Sequence, residues 1–409
     1  MAFLYLVSPS ERLNTILPRF SRIKEIETLS IFQAVGRVVA ENIHSDEDIP
    51  PLPRSTVDGY AVKSEDTMGA TPETPAMLLK KGEISIGEVP KEKIGPGETM
   101  YIPTGGILPE GADSVVMIEY TEEIPPYIEI YRGVSPSENT VMPGEDIKKG
   151  MLLVEKGTKL HARHIGLLAY TGKTEIKVYR KPKIAIFSTG DEIVPPDKTP
   201  PIGKMRDANG PMLKALFSSM GTIIDTDITI IPDKKEELRK ALENATQRAD
   251  AVLLSGGSSA GTRDLVVSVI ESLPESEILF HGLRISPGKP TIVAVSGGKP
   301  VIGLPGHPAS CFVSAKIVAS TIIDYISGNN KLKPLTFIRA VMAKEVFSKP
   351  GIEEYIRVTI DFSSTPPRVY PMVTQSGITY TLAVADGLAR IPAEKEGVAE
   401  GEEVEVMLL

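Results

Sequence analysis

A chain of 409 residues is too long for one hydrophobic core, so three or four domains are expected. A hydrophobic fraction of 41%, a charged fraction of 24% and a formal net charge of −8 describe an ordinary soluble globular protein and exclude a general nucleic-acid binder. No apolar run reaches the roughly 18 residues of a membrane span, and Met1–Val7 lacks the charged start and long apolar core of a secretory signal. Cytoplasmic location without a membrane partner is therefore expected. The single cysteine, Cys311, excludes an intrachain disulfide framework and a cysteine metal cluster, and its place before an apolar run makes it a buried helix residue.

In chain order, Ser8-Pro-Ser-Glu11 offers an N-cap, a proline at the first helical position and a glutamate at N3. This predicts a helix to about residue 26, and Ser30–Gln33 predicts a second one ending near Glu41. From Asp48 the chain turns proline-rich and then reads as short strands at 83–86, 99–102, 114–118 and 127–131, broken by Pro-Gly turns. A short helix at 161–170 and a strand at 174–179 follow, and both are expected to rejoin the N-terminal module. From Lys183 strands and helices alternate: a strand to Phe187, a helix from Asn209 to Met220, a strand at 222–230, a helix from Asp233 to Arg248, and a strand at 251–254. A helix at 264–272, strands at 292–295 and 301–304, and a long helix from Pro308 to Ser327 complete the pattern. This alternation predicts a three-layer α/β domain with a mainly parallel sheet, whose ligands collect at the carboxyl ends of the strands. Residues after Lys331 read as a small β domain.

Three loops leave successive predicted strand ends, each with its own chemistry. Phe187-Ser-Thr-Gly-Asp-Glu192 sets two acids beside glycine, hard oxygen donors suited to Mg2+. Ser255-Gly-Gly257 with Asp264 allows main-chain N–H groups to converge on an anion at a helix start. Gly303-Leu-Pro-Gly-His-Pro-Ala-Ser310 stiffens a turn ahead of a helix, and Ser286-Pro-Gly-Lys-Pro290 holds Lys289 between prolines. Neither a P-loop nor a G-x-G-x-x-G fingerprint is present, and His161-x-x-His164 has no third ligand nearby and reads as ordinary helix surface.

Taken together with Thr56-Val-Asp-Gly-Tyr-Ala-Val62, Pro103-Thr-Gly-Gly106, Pro143-Gly-Glu-Asp146, Asp207-Ala-Asn209, Ala385-Asp-Gly-Leu388 and Gly401-Glu-Glu-Val-Glu-Val406, these motifs resemble, in order and spacing, the molybdopterin molybdenumtransferase family. This family of molybdenum insertases is related to the gephyrin E domain. The resemblance implies an elongated homodimer with a discontinuous N-terminal stalk (1–47 with 143–180), an inserted β module (48–142), an α/β molybdopterin-binding domain (181–328) and a C-terminal β-barrel domain (329–409). It implies Mg2+-dependent insertion of molybdate, or the nearly isosteric tungstate, into adenylylated molybdopterin with release of AMP, and contact with the molybdopterin adenylyltransferase. The alternative is a non-catalytic scaffold or carrier of the same fold.

By the same resemblance Asp58, Glu192, Asp264 and Lys289 are catalytic, and Asp191, Glu192, Asp207 and Asp264 hold the metal. Thr104, Asp146, Ser188, Thr189, Gly190, Asn209, Asp233, Ser255, Gly256, Gly257, Pro305, Gly306, His307, Pro308 and Ser310 bind the nucleotide, pterin or oxyanion, with Arg357 near them. Three acids have competing local readings. Asp58 fits a type I′ turn, Asp146 a helix cap and Asp233 an N-cap. Two departures from the family pattern stand out: Ser286 where many members carry lysine, and His307 where many carry asparagine.

Overall fold

The apolar runs at 184–187, 251–254 and 301–304 become three neighbouring parallel strands. The computed structural model describes residues 7–225, 229–256, 260–332, 335–372 and 379–409, with backbone alone for 10, 11 and 260–264. In the α/β region the elements are β1 (Lys183–Thr189), α1 (Asn209–Ser219), α2 (Lys235–Arg248), β2 (Ala251–Gly256), α3 (Ala260–Glu271), β3 (Ser276–His281), β4 (Ile292–Ser296), β5 (Lys299–Leu304) and α4 (Pro308–Ile326). The sheet runs β1-β2-β5-β4-β3, with the short strands Ile223–Ile224 and Thr229–Ile231 beside β1. β1, β2 and β5 are parallel; β4 is antiparallel to β5, and β3 is antiparallel to β4, so β3 again runs with the first three.

Side chains alternate across these strands with period 2, which divides the core into two faces. Ile184, Ile186, Ala251, Leu253, Ile302 and Leu304 pack with Leu213 and Phe217 of α1 and the buried side of α4. Ala185, Phe187, Val252, Leu254 and Val301 pack instead with Leu238 and Leu242 of α2 and Val266, Val269 and Ile270 of α3. The result is the three-layer arrangement expected from the alternation of elements. α4 is apolar enough to cross a membrane by composition, but 67% of its most apolar window is buried, so its composition reflects a core position. Its middle turn, Ala315–Ala319, widens to π geometry.

The C-terminal strands close on themselves: Glu353–Asp361 pairs with Arg368–Pro371, which leads through Ile338–Met342 and Glu403–Leu408 to Gly387–Ile391 and back to Glu353–Asp361. This ring is the expected small barrel. The two-residue strand Ile285–Ser286, just before Lys289, adds to it in parallel, with Ser286 opposite Glu354.

By contacts the chain forms two compact units. The first holds residues 1–41, 156–162 and 175–409, and thus the α/β region and the barrel. The second holds residues 42–155 and 163–174 and is built on a six-stranded sheet in the order Ser114–Met117, Gly59–Val62, Glu98–Ile102, Ala76–Glu83, Tyr127–Ile130, Thr121–Ile124. Gly59 is required in that sheet, since a Cβ there would lie 1.9 Å from the Val116 carbonyl oxygen.

The N-terminal helices are shorter than their sequence signals suggest. The first covers Pro9–Ile16 and ends in a 3-10 turn at Leu17–Arg19, where Pro18 removes a backbone donor. The second is only the 3-10 turn Ile31–Gln33. Between them Ile26–Ser30, with β-branched Ile26 and Thr28, forms a strand antiparallel to Glu175–Tyr179, and Val38 and Val39 make β-bridges to Lys159 and Val178. Strand pairing overrides the helix-start signal, and it is strand 175–179 that rejoins the N-terminal segment.

Candidate functional site

The register of the parallel strands brings the first two predicted loops and the start of the third to one rim. Thr189 lies opposite Gly256 and Ser255 opposite Leu304, so the chain leaves β1, β2 and β5 at one edge of the sheet. β4 is antiparallel to β5 with Ile292 opposite Gly303, so the chain enters β4 at that same edge. Lys289, three residues before Ile292, is thereby brought to the rim although its strand points the other way.

Along the rim the polar side chains are linked. Ser188 and Ser255, both buried, have hydroxyls 3.3 Å apart. The Thr189 hydroxyl donates to Asp233 Oδ1 at 2.6 Å, and the Asp233 N–H donates to Asp191 Oδ1 at 3.2 Å. Asp233 is therefore not an N-cap: α2 begins at Lys235, its cap residue is Lys234, and no side chain caps it. Gly256 has φ +121°, and a Cβ there would lie 2.1 Å from the Thr189 carbonyl oxygen, so only glycine lets the two loops approach so closely. Asp191 and Glu192 are exposed, and the Glu192 carboxylate folds over Gly190, where a Cβ would come within 2.7 Å of Glu192 Oε2.

Asp207 and Asn209 lie at the start of α1. Asn209 is the first helical residue, as the sequence reading placed it, and Asp207 Oδ1 accepts from the Gly210 N–H at 3.1 Å. Asn209 Nδ2 donates to the Gly306 carbonyl at 2.7 Å, joining the second half of the first loop to the third loop. Both side chains are buried, and Asp207 Oδ2 and Asn209 Oδ1 have no hydrogen-bond partner in the structure. Buried acceptors of this kind are costly unless a cation or donor meets them, so they fit a bound ligand or metal. Among the described residues no three His, Cys, Asp or Glu side chains already converge as a metal site. Gly257 and the Asp264 side chain lie outside the described residues.

The third loop leads into a cavity of about 740 Å3. Its wall includes Ser286 to Pro290, Ser310 at the start of α4, and Val346 to Lys349, Glu354, Arg357 and Met372 from the barrel. Pro305 is buried, Gly306 and Pro308 are half-buried, and His307 is exposed as the residue preceding α4. The turn carrying Lys289 is pinned from behind: the buried Thr291 hydroxyl donates to the Gly288 carbonyl at 2.7 Å and meets the Ser314 hydroxyl at 2.8 Å. Arg357 is buried and donates to the Thr381 hydroxyl at 2.8 Å; burial lowers its pKa from the usual value. Cys311 is fully buried, and its thiol is pushed well above the usual range by burial and then by the charge of Asp207. It is a packing residue, as its sequence context suggested.

Asp58, Thr104 and Asp146 belong to the second unit. Asp58 Oδ1 accepts from the Thr104 N–H at 2.7 Å and the Thr104 hydroxyl at 3.1 Å, which joins two separate sequence motifs. Asp146 is exposed and no helix follows it, so the helix-cap reading fails. Sequence reasoning missed Lys349, Thr291 and Ser314, none of which lies in a motif with a recognisable spacing.

An α/β sheet with linked polar loops at its carboxyl rim, together with a cation-lined cavity beside a small barrel, is an arrangement suited to a charged ligand. Residues 7–172 match the MoeA N-terminal region (domain I and II), residues 185–325 the model described as "Probable molybdopterin binding domain", and residues 339–409 the MoeA C-terminal region (domain IV). A protein of Methanocaldococcus jannaschii named "Putative molybdopterin biosynthesis protein" is 34% identical over 98% of this chain and 95% of its own length. A molybdopterin molybdenumtransferase of Staphylococcus epidermidis is 29% identical, with the same coverage of 98% and 95%. The crystal structure of a MoeA protein from Pyrococcus horikoshii OT3 superposes with a TM-score of 0.83 at 29% identity, covering 99% of this chain and 100% of that one. A second structure of a molybdopterin biosynthesis MoeA protein from Pyrococcus horikoshii gives 0.77 at 37% identity, covering 98% and 99%. The chain belongs to the MoeA family, the molybdopterin molybdenumtransferases.

Proposed function

We propose that this protein inserts molybdate or tungstate into adenylylated molybdopterin, in a Mg2+-dependent reaction that releases AMP. The observation that carries this reading is the Asn209–Gly306 hydrogen bond of 2.7 Å, which links the acid-bearing rim to the loop opening into the Lys289 cavity. A nucleotide phosphate and a tetraoxometallate are both highly charged, and the two halves of the site answer them differently.

At the rim, Gly190 and Gly256 leave the strand ends without side chains, so a phosphate can approach main-chain N–H groups. Ser188, Thr189 and Ser255 present hydroxyls there, and Asp233 orients the one on Thr189. Asp191, Glu192 and Asp207 Oδ2 are the hard oxygen donors that would hold Mg2+, with Asp264 as a further candidate from α3. Bound there, Mg2+ would neutralise charge on the adenylyl phosphate. In the cavity, Lys289 and Arg357 supply positive potential, while Ser310 and the N-terminal amides of α4 supply donors for pterin and oxyanion. Asp58, Thr104 and Asp146 are proposed as substrate-handling residues of the second unit. A homodimer, contact with the molybdopterin adenylyltransferase and a cytoplasmic setting complete the proposal.

The test is an assay of purified protein with Mg2+, molybdate and adenylylated molybdopterin. AMP release together with cofactor that activates an apo-molybdoenzyme is expected, and Asp191→Asn with Glu192→Gln should abolish both. If pterin is bound but neither product appears, the protein is a carrier of the same fold and the insertase reading is wrong.

A further inference from the structure

The cavity beside the barrel carries more positive charge than the sequence motifs supply. Its wall contains Lys289, Lys349 and Arg357 but only one carboxylate, Glu354, among the described residues. Two other cations of the barrel are paired: Arg390 with Glu353 and Glu405, and Lys395 with Glu402. Lys289 and Lys349 have no such partner among the described residues and both are exposed. With three cations and a single carboxylate on its wall, the cavity presents a positive potential to an entering anion.

Lys349 is also held in place. It follows the two-residue strand Val346–Phe347, which is paired antiparallel with Gly397–Val398, and the Ser348 N–H donates to the Glu396 carbonyl at 2.8 Å. The chain is therefore held up to the residue before it. Beside it the Ser348 hydroxyl is buried without a hydrogen-bond partner. On the opposite strand Ser286, paired in register with Glu354, contributes no charge.

We propose that Lys349, supplied by the C-terminal barrel, is a further anion-binding cation of this cavity, acting with Lys289 on a tetrahedral dianion. The inference rests on the functional reading above and adds to Lys289 and Arg357 a third cation.

The experiment measures binding of three probes alone, molybdate, tungstate and inorganic phosphate, to the full-length protein by equilibrium dialysis at low and high salt. Wild type is compared with Lys349→Ala, Lys349→Arg, Lys289→Ala and Lys240→Ala, the last removing an exposed charge on α2. Loss of one charge-assisted contact should weaken binding on the order of tenfold in Lys349→Ala and flatten its salt dependence. Lys349→Arg should restore most of the affinity, and Lys240→Ala should match wild type. Tighter binding of the metallates than of phosphate assigns the site to the oxyanion, and the reverse assigns it to a substrate phosphate. If wild type binds and Lys349→Ala binds equally well while Lys289→Ala does not, the role of Lys349 is refuted and the functional reading survives. If wild type binds none of the probes, the role of Lys349 is refuted, and the functional reading is decided separately by the AMP-release assay.

Discussion

Asn209 and Gly306 lie 97 positions apart in the chain, yet the Asn209 amide donates to the Gly306 carbonyl at 2.7 Å. The bond fixes the spacing between the start of α1 and the loop ahead of α4, and it leaves Asn209 Oδ1 buried without a hydrogen-bond partner. The side chain thus serves structure with one atom and is available to a ligand with the other.

Asn209→Ala removes both functions. The freed Gly306 carbonyl and the misplaced loop should lower kcat/KM by about 10- to 100-fold, equivalent to roughly 1.4 to 2.8 kcal/mol. Asn209→Asp should be worse, because it deletes the donor and places a second carboxylate near Asp207. AMP release measured alongside a thermal melt separates the effects. A fall in Tm with unchanged activity would mean that Asn209 acts in folding only.

Cys311 has a testable inertness. It is fully buried at the start of α4, and burial followed by the charge of Asp207 raises its thiol pKa. The thiolate is the nucleophile, so native protein should not react with iodoacetamide at pH 8, whereas protein in urea should be labelled fully. Cys311→Ala should cost about 1 kcal/mol of stability through the small void it leaves. Rapid labelling of the native form would contradict the packing role.

The α/β region was legible because β1, β2 and β5 are buried on both faces and therefore read as apolar runs ending in polar loops. Other features were hidden because long-range pairing decides them. Ser30 carries a helix-start signal, but Ile26–Ser30 has a strand at 175–179 to pair with, and that pairing wins. Asp233-x-x-Glu236 reads as a capping box, but the Thr189 hydroxyl takes the Asp233 carboxylate. Lys349 was invisible because its cavity is assembled from segments near 286, 310, 349 and 357, whose proximity only the barrel's closure creates.

The Arg180–Asp250 pair anchors the start of β1. Arg180 reaches both Asp250 oxygens at 2.6 and 2.8 Å, and the Lys183 N–H adds a third bond at 2.7 Å. Burial alone would raise the Asp250 pKa, but Arg180 and the Lys183 N–H outweigh it and the carboxyl is held below the usual range. A depressed folded-state pKa stabilises the fold above the unfolded value of about 3.9, and that stabilisation is lost as pH falls through the folded value. Asp250→Asn should therefore lose about 2 kcal/mol at pH 7, with the deficit shrinking in more acid solution below pH 4. Urea melts at pH 7 and pH 3 measure it, and an equal deficit at both would show that the charge is not what matters.

Asp58 and Thr104 offer a clean separation of folding from function in the second unit. Both are exposed, and Asp58 Oδ1 accepts from the Thr104 N–H and hydroxyl. Water can replace an exposed acceptor, so Asp58→Ala should change stability by less than about 1 kcal/mol. If the carboxylate acts on substrate, the same change should lower kcat far more than that figure allows, and Asp58→Asn, which keeps an acceptor for Thr104 but not the charge, should be nearly as inactive. Thr104→Ala retains the backbone bond and should be milder than either. Full activity in Asp58→Asn together with a loss in Asp58→Ala would assign Asp58 to holding the turn, and its place in the reaction would have to be given up.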